Sequence, residues 1–257
     1  MTKDKGAIYI GTSGWCYNHW KGPFYPQNLP NHQKLPYYCR HFHTVEVNNA
    51  FYRLPEKQTL RRWREAAPPG FVYTAKASRT ITHMKKLKDS KGHVRLFLDR
   101  IGLLEEKLGP ILFQLPPRWH FNAERLEAFL GVLDGSFHYV FEFRDPSWLN
   151  EDTYALLSRD NAAFCIYDLN GFLSPKKIIA DFIYVRLHGP ETAYQGCYDE
   201  PALSGWVGDF STWASEGKTV YCYFDNDEAA YAAKNAARLQ RMLIENKERL
   251  GAGFPEA

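Results

Sequence analysis

The residues of this chain best suited to chemistry recur two apart: Glu142 and Arg144 in EFRDPSW, Arg186 and His188 in YVRLHGP, Glu46 and Asn48 in TVEVNN. Residues two apart share one face of a β-strand, so each pair would project together. Glu46 and Glu142 suit a general acid and base. His188 beside Arg186 is a natural proton carrier near neutral pH. Arg144 and Arg186 supply planar forks for a phosphate or carboxylate. Lys76 serves as an anion contact or, if desolvated, as a nucleophile. Taken singly, each reads better as half of an ion pair, so convergence on one cavity is what would make a site.

Runs of β-branched and aromatic residues bounded by turn formers predict eight strands: 8–13, 44–48, 71–77, 110–115, 138–144, 163–168, 182–188 and 219–225. Helical apolar spacing falls between them, over 34–42, 56–66, 94–108, 123–133, 152–160, 203–215 and 228–249. Only the sixth connection, 170–180, lacks a helix pattern. Strand and helix alternating over about 250 residues is the grammar of a single-domain α/β (β/α)8 barrel of TIM type. One domain over 1–257 is expected, with a core of about 8–243 and short polar tails. A doubly wound open sheet is the alternative, yet no GxGxxG or P-loop follows a strand.

Alternation then assigns faces. Tyr139, Phe141 and Phe143 must meet the helices, which turns Val140, Glu142 and Arg144 inward. The same rule sends Ser13, Glu46, Asn48, Lys76, Tyr184, Arg186, His188 and Asp225 inside, and Gln114 and Asp168 are placed with them. The barrel mouth at the C-terminal strand ends, where such folds carry their sites, would thus be lined with ionisable groups. Burying several acids, a Lys and two Arg is costly without a functional reason.

Other signals are weaker. GTSGW at 11–15 approaches the GxSxG elbow but ends in Trp15, so Ser13 reads as a hydrogen-bond donor and not a nucleophile. Trp15, Tyr17 and Trp148, with Trp20, Phe24, Tyr25, Phe51 and Tyr52, lie in top loops, where they would stack a ligand or roof the barrel. Asn226 and Arg79 complete the candidate binding set. His19, His83, His120 and His188 share the top face with carboxylates, an arrangement open to a divalent metal, but Lys76, Arg144 and Arg186 disfavour a further cation. No cofactor is therefore expected. His41 and His43 fall at the barrel bottom.

Composition excludes disorder and small disulfide scaffolds: 45% of residues are hydrophobic and 24% charged. No apolar run approaches the roughly 18 residues that span a bilayer, and no signal-like segment opens the chain. The five cysteines include no CxxC pair. A reduced cytoplasmic setting without membrane partners is expected. Net charge is +3, yet residues 1–128 hold 21 Lys+Arg against 10 Asp+Glu, whereas 129–257 hold 11 against 19. Between Lys76 and Arg95, seven basic residues face only Asp89. This segment is either a solvated loop or an anion-binding track.

The motifs GTSGW (11–15), FYP (24–26), TVEVNNAFYRLP (44–55), KASRTITH (76–83), QLPP (114–117), EFRDPSW (142–148), YVRLHGP (184–190) and YFDND (223–227) together resemble the family known as domain of unknown function 72, the YecE-like barrels. The resemblance runs in order from about residue 8 to 243 and implies a barrel fold; it implies no particular reaction. One departure is Asp225, where the family pattern is expected to carry Asn. The residues then lead to a metal-independent acid-base enzyme for a substrate bearing phosphate or carboxylate. The alternatives are a nucleic-acid-binding phosphodiesterase resembling the endonuclease IV barrels and a non-enzymatic anion binder.

Overall fold

A computed structural model describes residues 5–251. Nine strands form one sheet: β1 (Ile8–Thr12), β2 (Thr44–Val47), β3 (Val72–Lys76), β4 (Leu108–Gln114), β5 (Tyr139–Glu142), β6 (Ala163–Leu169), β7 (Phe172–Leu173), β8 (Phe182–Leu187) and β9 (Thr219–Phe224). Eight of them are parallel, in the order β1-β9-β8-β6-β5-β4-β3-β2, while the two-residue β7 folds back on β6 as a hairpin arm. The ring closes between β1 and β2 at the bridge from Ser13 to Glu46, where the Gly14 N–H donates to the Glu46 carbonyl at 2.8 Å. Gly11 permits this closure, because a Cβ there would stand 2.2 Å from the Thr44 carbonyl oxygen.

The helices are α1 (Lys34–Tyr38), α2 (Asn49–Tyr52), α3 (Lys57–Ala66), α4 (Lys91–Ile101), α5 (Ala123–Leu130), α6 (Glu151–Arg159), α7 (Glu200–Ser215) and α8 (Tyr231–Gly251). Asn122, Asn150 and Asp199 cap α5, α6 and α7 by accepting the N–H of the residue three further on. Outward strand residues such as Val45, Phe113, Phe141 and Val185 pack on helix residues such as Leu60, Phe129 and Leu239. Inside the barrel Leu112, Val140, Cys165, Phe182, Tyr184, Tyr221 and Tyr223 form a separate apolar plug. Two of its tyrosine hydroxyls are satisfied by strand threonines, Tyr223 with Thr44 at 2.6 Å and Tyr184 with Thr74 at 2.9 Å.

The (β/α)8 reading holds, including the sixth connection without a helix. Several boundaries move. The helix expected over 94–108 gives way at Gly102 to a 3-10 segment, in which Glu105 takes φ 50°, and β4 starts at Leu108. Gly109 allows that early start, since a Cβ there would meet Val72 Cγ1 at 2.5 Å. The expectation over 34–42 shrinks to the five residues of α1, and α2, hidden inside the TVEVNNAFYRLP motif, was not foreseen. The polar tails at 1–4 and 252–257 lie outside the described residues. Among the described residues no helix is long and apolar enough to cross a membrane, and all five cysteines are free.

Candidate active site

Strands β2, β5 and β8 each deliver one inward ionisable residue to the same level just above the apolar plug. Arg186 of β8 is the hub and is only 1% exposed. One terminal nitrogen donates to Glu142 Oε2 at 2.8 Å; the other donates to Glu46 Oε1 at 2.8 Å and to Asp225 Oδ2 at 3.1 Å. Its planar fork therefore spans three carboxylates from β2, β5 and the end of β9. Glu46 also accepts from the Ser13 hydroxyl and from Tyr184 at 2.7 Å. Arg144 closes onto the other oxygen of Glu142. Burial alone would weaken the charge on Arg186, but Glu46, Glu142 and Asp225 outweigh it and raise its pKa. Burial likewise opposes ionisation of Glu142, yet Arg144 and Arg186, with Lys76, hold its carboxyl below the usual range. Arg186 and Glu142 thus hold one another in their charged forms.

His188 completes it. Its Nε2 receives Arg144 at 2.9 Å and Arg186 at 3.3 Å, while Nδ1 stands 3.0 Å from Asp225 Oδ2. Guanidinium nitrogens only donate, so Nε2 must accept, and the ring is neutral with its proton on Nδ1 pointing at Asp225. The electrostatics agree: burial and the charge of Arg186 lower the His188 pKa. Burial pushes the Asp225 carboxyl up, but the His188 hydrogen bond and Arg186 bring it below its ordinary value.

Exposure separates a floor from a wall. Glu46, Glu142 and His188 side chains are fully buried, whereas Arg144 is 9% and Asp225 15% exposed. Lys76, at the end of β3, is half-buried with its ammonium 4.3 Å above the Phe51 ring. Burial and Arg186 lower its pKa to about 8, against the opposing pull of Glu142, Glu46 and Asp225. What faces the opening is therefore Lys76, Arg144 and Asp225, with Arg186 and its acids behind them. Half-buried Tyr17 donates to the Ser13 carbonyl at the same rim.

The remaining expectations divide. Arg79 is exposed on the loop after β3. Gln114 turns at the end of β4 to donate to the Leu115 carbonyl at 2.8 Å. Asn48 ends β2 with its side-chain oxygen buried and unpartnered. Four placements are corrected. Asp168 faces outward: in β6 the inward residues are Ala163 and Cys165, with Tyr167 under Arg144, so parity sends Asp168 to the Tyr198 side. Asn226 follows Asp225 and for the same reason points away from the mouth, tying the Gly196 carbonyl and Asn235 at 2.9 and 2.8 Å. Trp15 packs edge-on against Trp63 and Tyr73 outside the barrel. Trp148 is stacked on Phe143 and donates to the Trp119 carbonyl at 2.6 Å. The last two, 7% and 1% exposed, take the packing role and do not line the mouth.

Three further residues belong here, of which only Tyr194 has no counterpart in the sequence expectation. Tyr184, which alternation placed inside, anchors Glu46. Phe51 underlies Lys76 and packs on His83 at 5.0 Å. Tyr194 stands edge-on over His188 at 5.5 Å, held at φ 65° in the loop after β8; loop geometry gives no periodic signal from which this could be read. The histidines disperse, His19 to Asp227 and His120 to Asp145 on the rim. Among the described residues no group of three or more His, Cys, Asp or Glu is placed to hold a metal ion.

A parallel barrel with an ionised cluster at its C-terminal mouth defines the class, a TIM-type barrel protein. The chain belongs to the family described as protein of unknown function DUF72, whose model matches residues 9–257. It is 33% identical over 144 residues to the UPF0759 protein YecE of Escherichia coli K12, covering 55% of this chain and 50% of that one. The chain thus aligns with about half the length of that relative. Similarity to the UPF0759 protein YunF of Bacillus subtilis is lower, 24%, but covers 92% and 94% of the two chains. The crystal structure of a DUF72 family protein (TM1631) from Thermotoga maritima superposes with a TM-score of 0.84 at 30% identity, covering 93% of this chain and 99% of that one.

Proposed function

We propose that the mouth is the active site of an enzyme that moves protons on a small substrate bearing a phosphate or carboxylate. The observation that carries this reading is the division of labour around Arg186. Three carboxylates and a neutral His188 are held by ion pairs and hydrogen bonds around Arg186, while Lys76 and Arg144 remain toward the opening as cations for an incoming anion. Arg186 has both terminal nitrogens engaged and acts as the post that orients Glu46 and Glu142, so Arg144 is the fork available to the substrate. When Arg144 turns from His188 to an anion, His188 Nε2 loses its shorter hydrogen bond, keeps only the 3.3 Å contact of Arg186, and can act as a base with its Nδ1–H still held by Asp225. The carboxylates already have cationic partners, which favours side-chain acid-base chemistry over a tightly bound metal.

A panel of phosphate esters, sugar phosphates and oxo acids, run with chelator and again with added divalent metal, tests the proposal. Turnover that survives chelator and disappears in Glu142→Gln and His188→Gln, with unfolding transitions retained, supports it. Turnover only with metal, or tight binding with no turnover in any class, overturns it. Nucleic acid is a second reading, favoured by one observation: Lys86, Lys88, Lys91 and Arg95 are exposed on the segment that follows β3 beside the mouth.

A further inference from the structure

We infer that Lys76 forms a covalent imine with the carbonyl carbon of an aldehyde or ketone that also carries a carboxylate or phosphate, making oxo acids or phosphorylated carbonyl compounds the substrate class. The inference rests on reading the mouth as an anion-accepting site and names the chemistry within it. Lys76 shares the mouth with Glu46, Glu142 and Asp225, yet among the described residues its ammonium makes no ion pair and no hydrogen bond. Those carboxylates are occupied by Arg186 from β8 and Arg144 from the end of β5, so the lysine is left with an aromatic face at 4.3 Å. Phe51, from α2, is itself braced by His83.

An amine so placed has lost much of its water and has no acceptor holding its protons, the condition under which lysine becomes a nucleophile. The charged groups facing it are Arg186, Glu142, Glu46 and Asp225, and burial with Arg186 prevails, lowering its pKa to about 8. Roughly a quarter of it is then neutral at pH 7.5, against about a thousandth of an ordinary lysine. Arg144, and Arg79 at the rim, supply the handle for the anionic end of the substrate.

The step balances without a co-reactant. The neutral amine donates its electron pair to the carbonyl carbon, forming the C–N bond. The carbonyl oxygen departs as water, taking one proton from the amine nitrogen and one from solvent at the open mouth. The remaining iminium withdraws electrons from the adjacent C–H bond. Its proton passes to His188 Nε2, the base of this mouth, whose Nδ1–H Asp225 holds, and the electron pair stays behind as the enamine double bond.

Glyoxylate with cyanoborohydride at pH 7, followed by peptide mapping of the wild-type protein, tests this. Lys76 should be carboxymethylated about tenfold faster than exposed Lys88 and Lys91, inorganic phosphate should slow it, and Lys76→Arg should abolish the fast adduct. Labelling of Lys76 no faster than Lys88 and Lys91 overturns the imine. Calorimetry with phosphate separates the two layers: phosphate binding without fast labelling removes the imine and leaves the anion site, whereas neither result removes both.

Discussion

At Arg186 a single side chain organises three acids, and its removal shows what the network costs. An Arg186→Leu variant strands Glu46 in the barrel without a cation and leaves Glu142 with Arg144 alone, and a loss of about 3–5 kcal/mol in urea unfolding is expected. Arg186→Lys retains charge but not the fork, and should recover only part of it. A loss below about 1 kcal/mol would mean that water or Lys76 compensates. Proton linkage supplies a second residue-scale prediction. Burial, with the charges of Lys76, Arg79 and Arg144, lowers His83 to about 4, so between pH 6.5 and 4 the unfolded chain holds a proton that the folded one refuses. Stability from this group is complete above pH 6.5 and falls on acidification. Asp227 works in the opposite sense. Burial raises it to about 6, so its contribution is complete below its ordinary carboxylate pKa and is lost as pH rises through 6. Melting temperatures from pH 4 to 7 should therefore drop less steeply on acidification in His83→Gln than in wild type, and more steeply in Asp227→Asn.

Elements determine whether those residues meet. The seam between β1 and β2 is the weakest join of the barrel, held by one bridge and the approach that Gly11 permits. Gly11→Ala puts a methyl against backbone that cannot turn aside, and a destabilisation of about 1–3 kcal/mol is expected, with faster amide exchange at Ser13 and Gly14 than elsewhere in the sheet. Unchanged exchange there would show that the seam does not depend on this contact. The segment after β3 decides the nucleic-acid reading. It carries Lys86 at φ 47° and Asp89 at φ 45° before α4 begins, and its exposed lysines have no acidic partner among the described residues. If they track phosphates, replacing Lys85, Lys86 and Lys88 with Ala should lower the salt-dependence slope of oligonucleotide binding by about one per contacting lysine. A slope equal to wild type, or no binding at low salt, removes that reading.

For the molecule as a whole, a packed barrel carries a polar cluster that its lower core keeps in place. The Tyr184, Tyr223, Thr44 and Thr74 hydroxyls below the site interlock across the barrel, so Glu46 rests on a floor that is itself hydrogen-bonded. Much of this was legible beforehand, because strand residues alternate. Knowing that Phe141 and Phe143 must meet helices was enough to turn Glu142 and Arg144 inward, and the same reasoning brought Arg186, His188, Glu46 and Asp225 into one cavity. Asp168 and Asn226 fall outside that cavity because each is one residue out of phase with an inward neighbour, Tyr167 and Asp225. Trp15 and Trp148 were unreadable for another reason: an aromatic in a top loop packs outward or lines the mouth depending on loop path, which no local period encodes. The chain alone determined the fold and the inward face of each strand, since these follow from period two and from burial. Only the tertiary structure decided which charges pair. That Arg186 takes the acids and leaves Lys76 on Phe51 depends on distances across the barrel, set by strand stagger and closure between residues up to 140 positions apart.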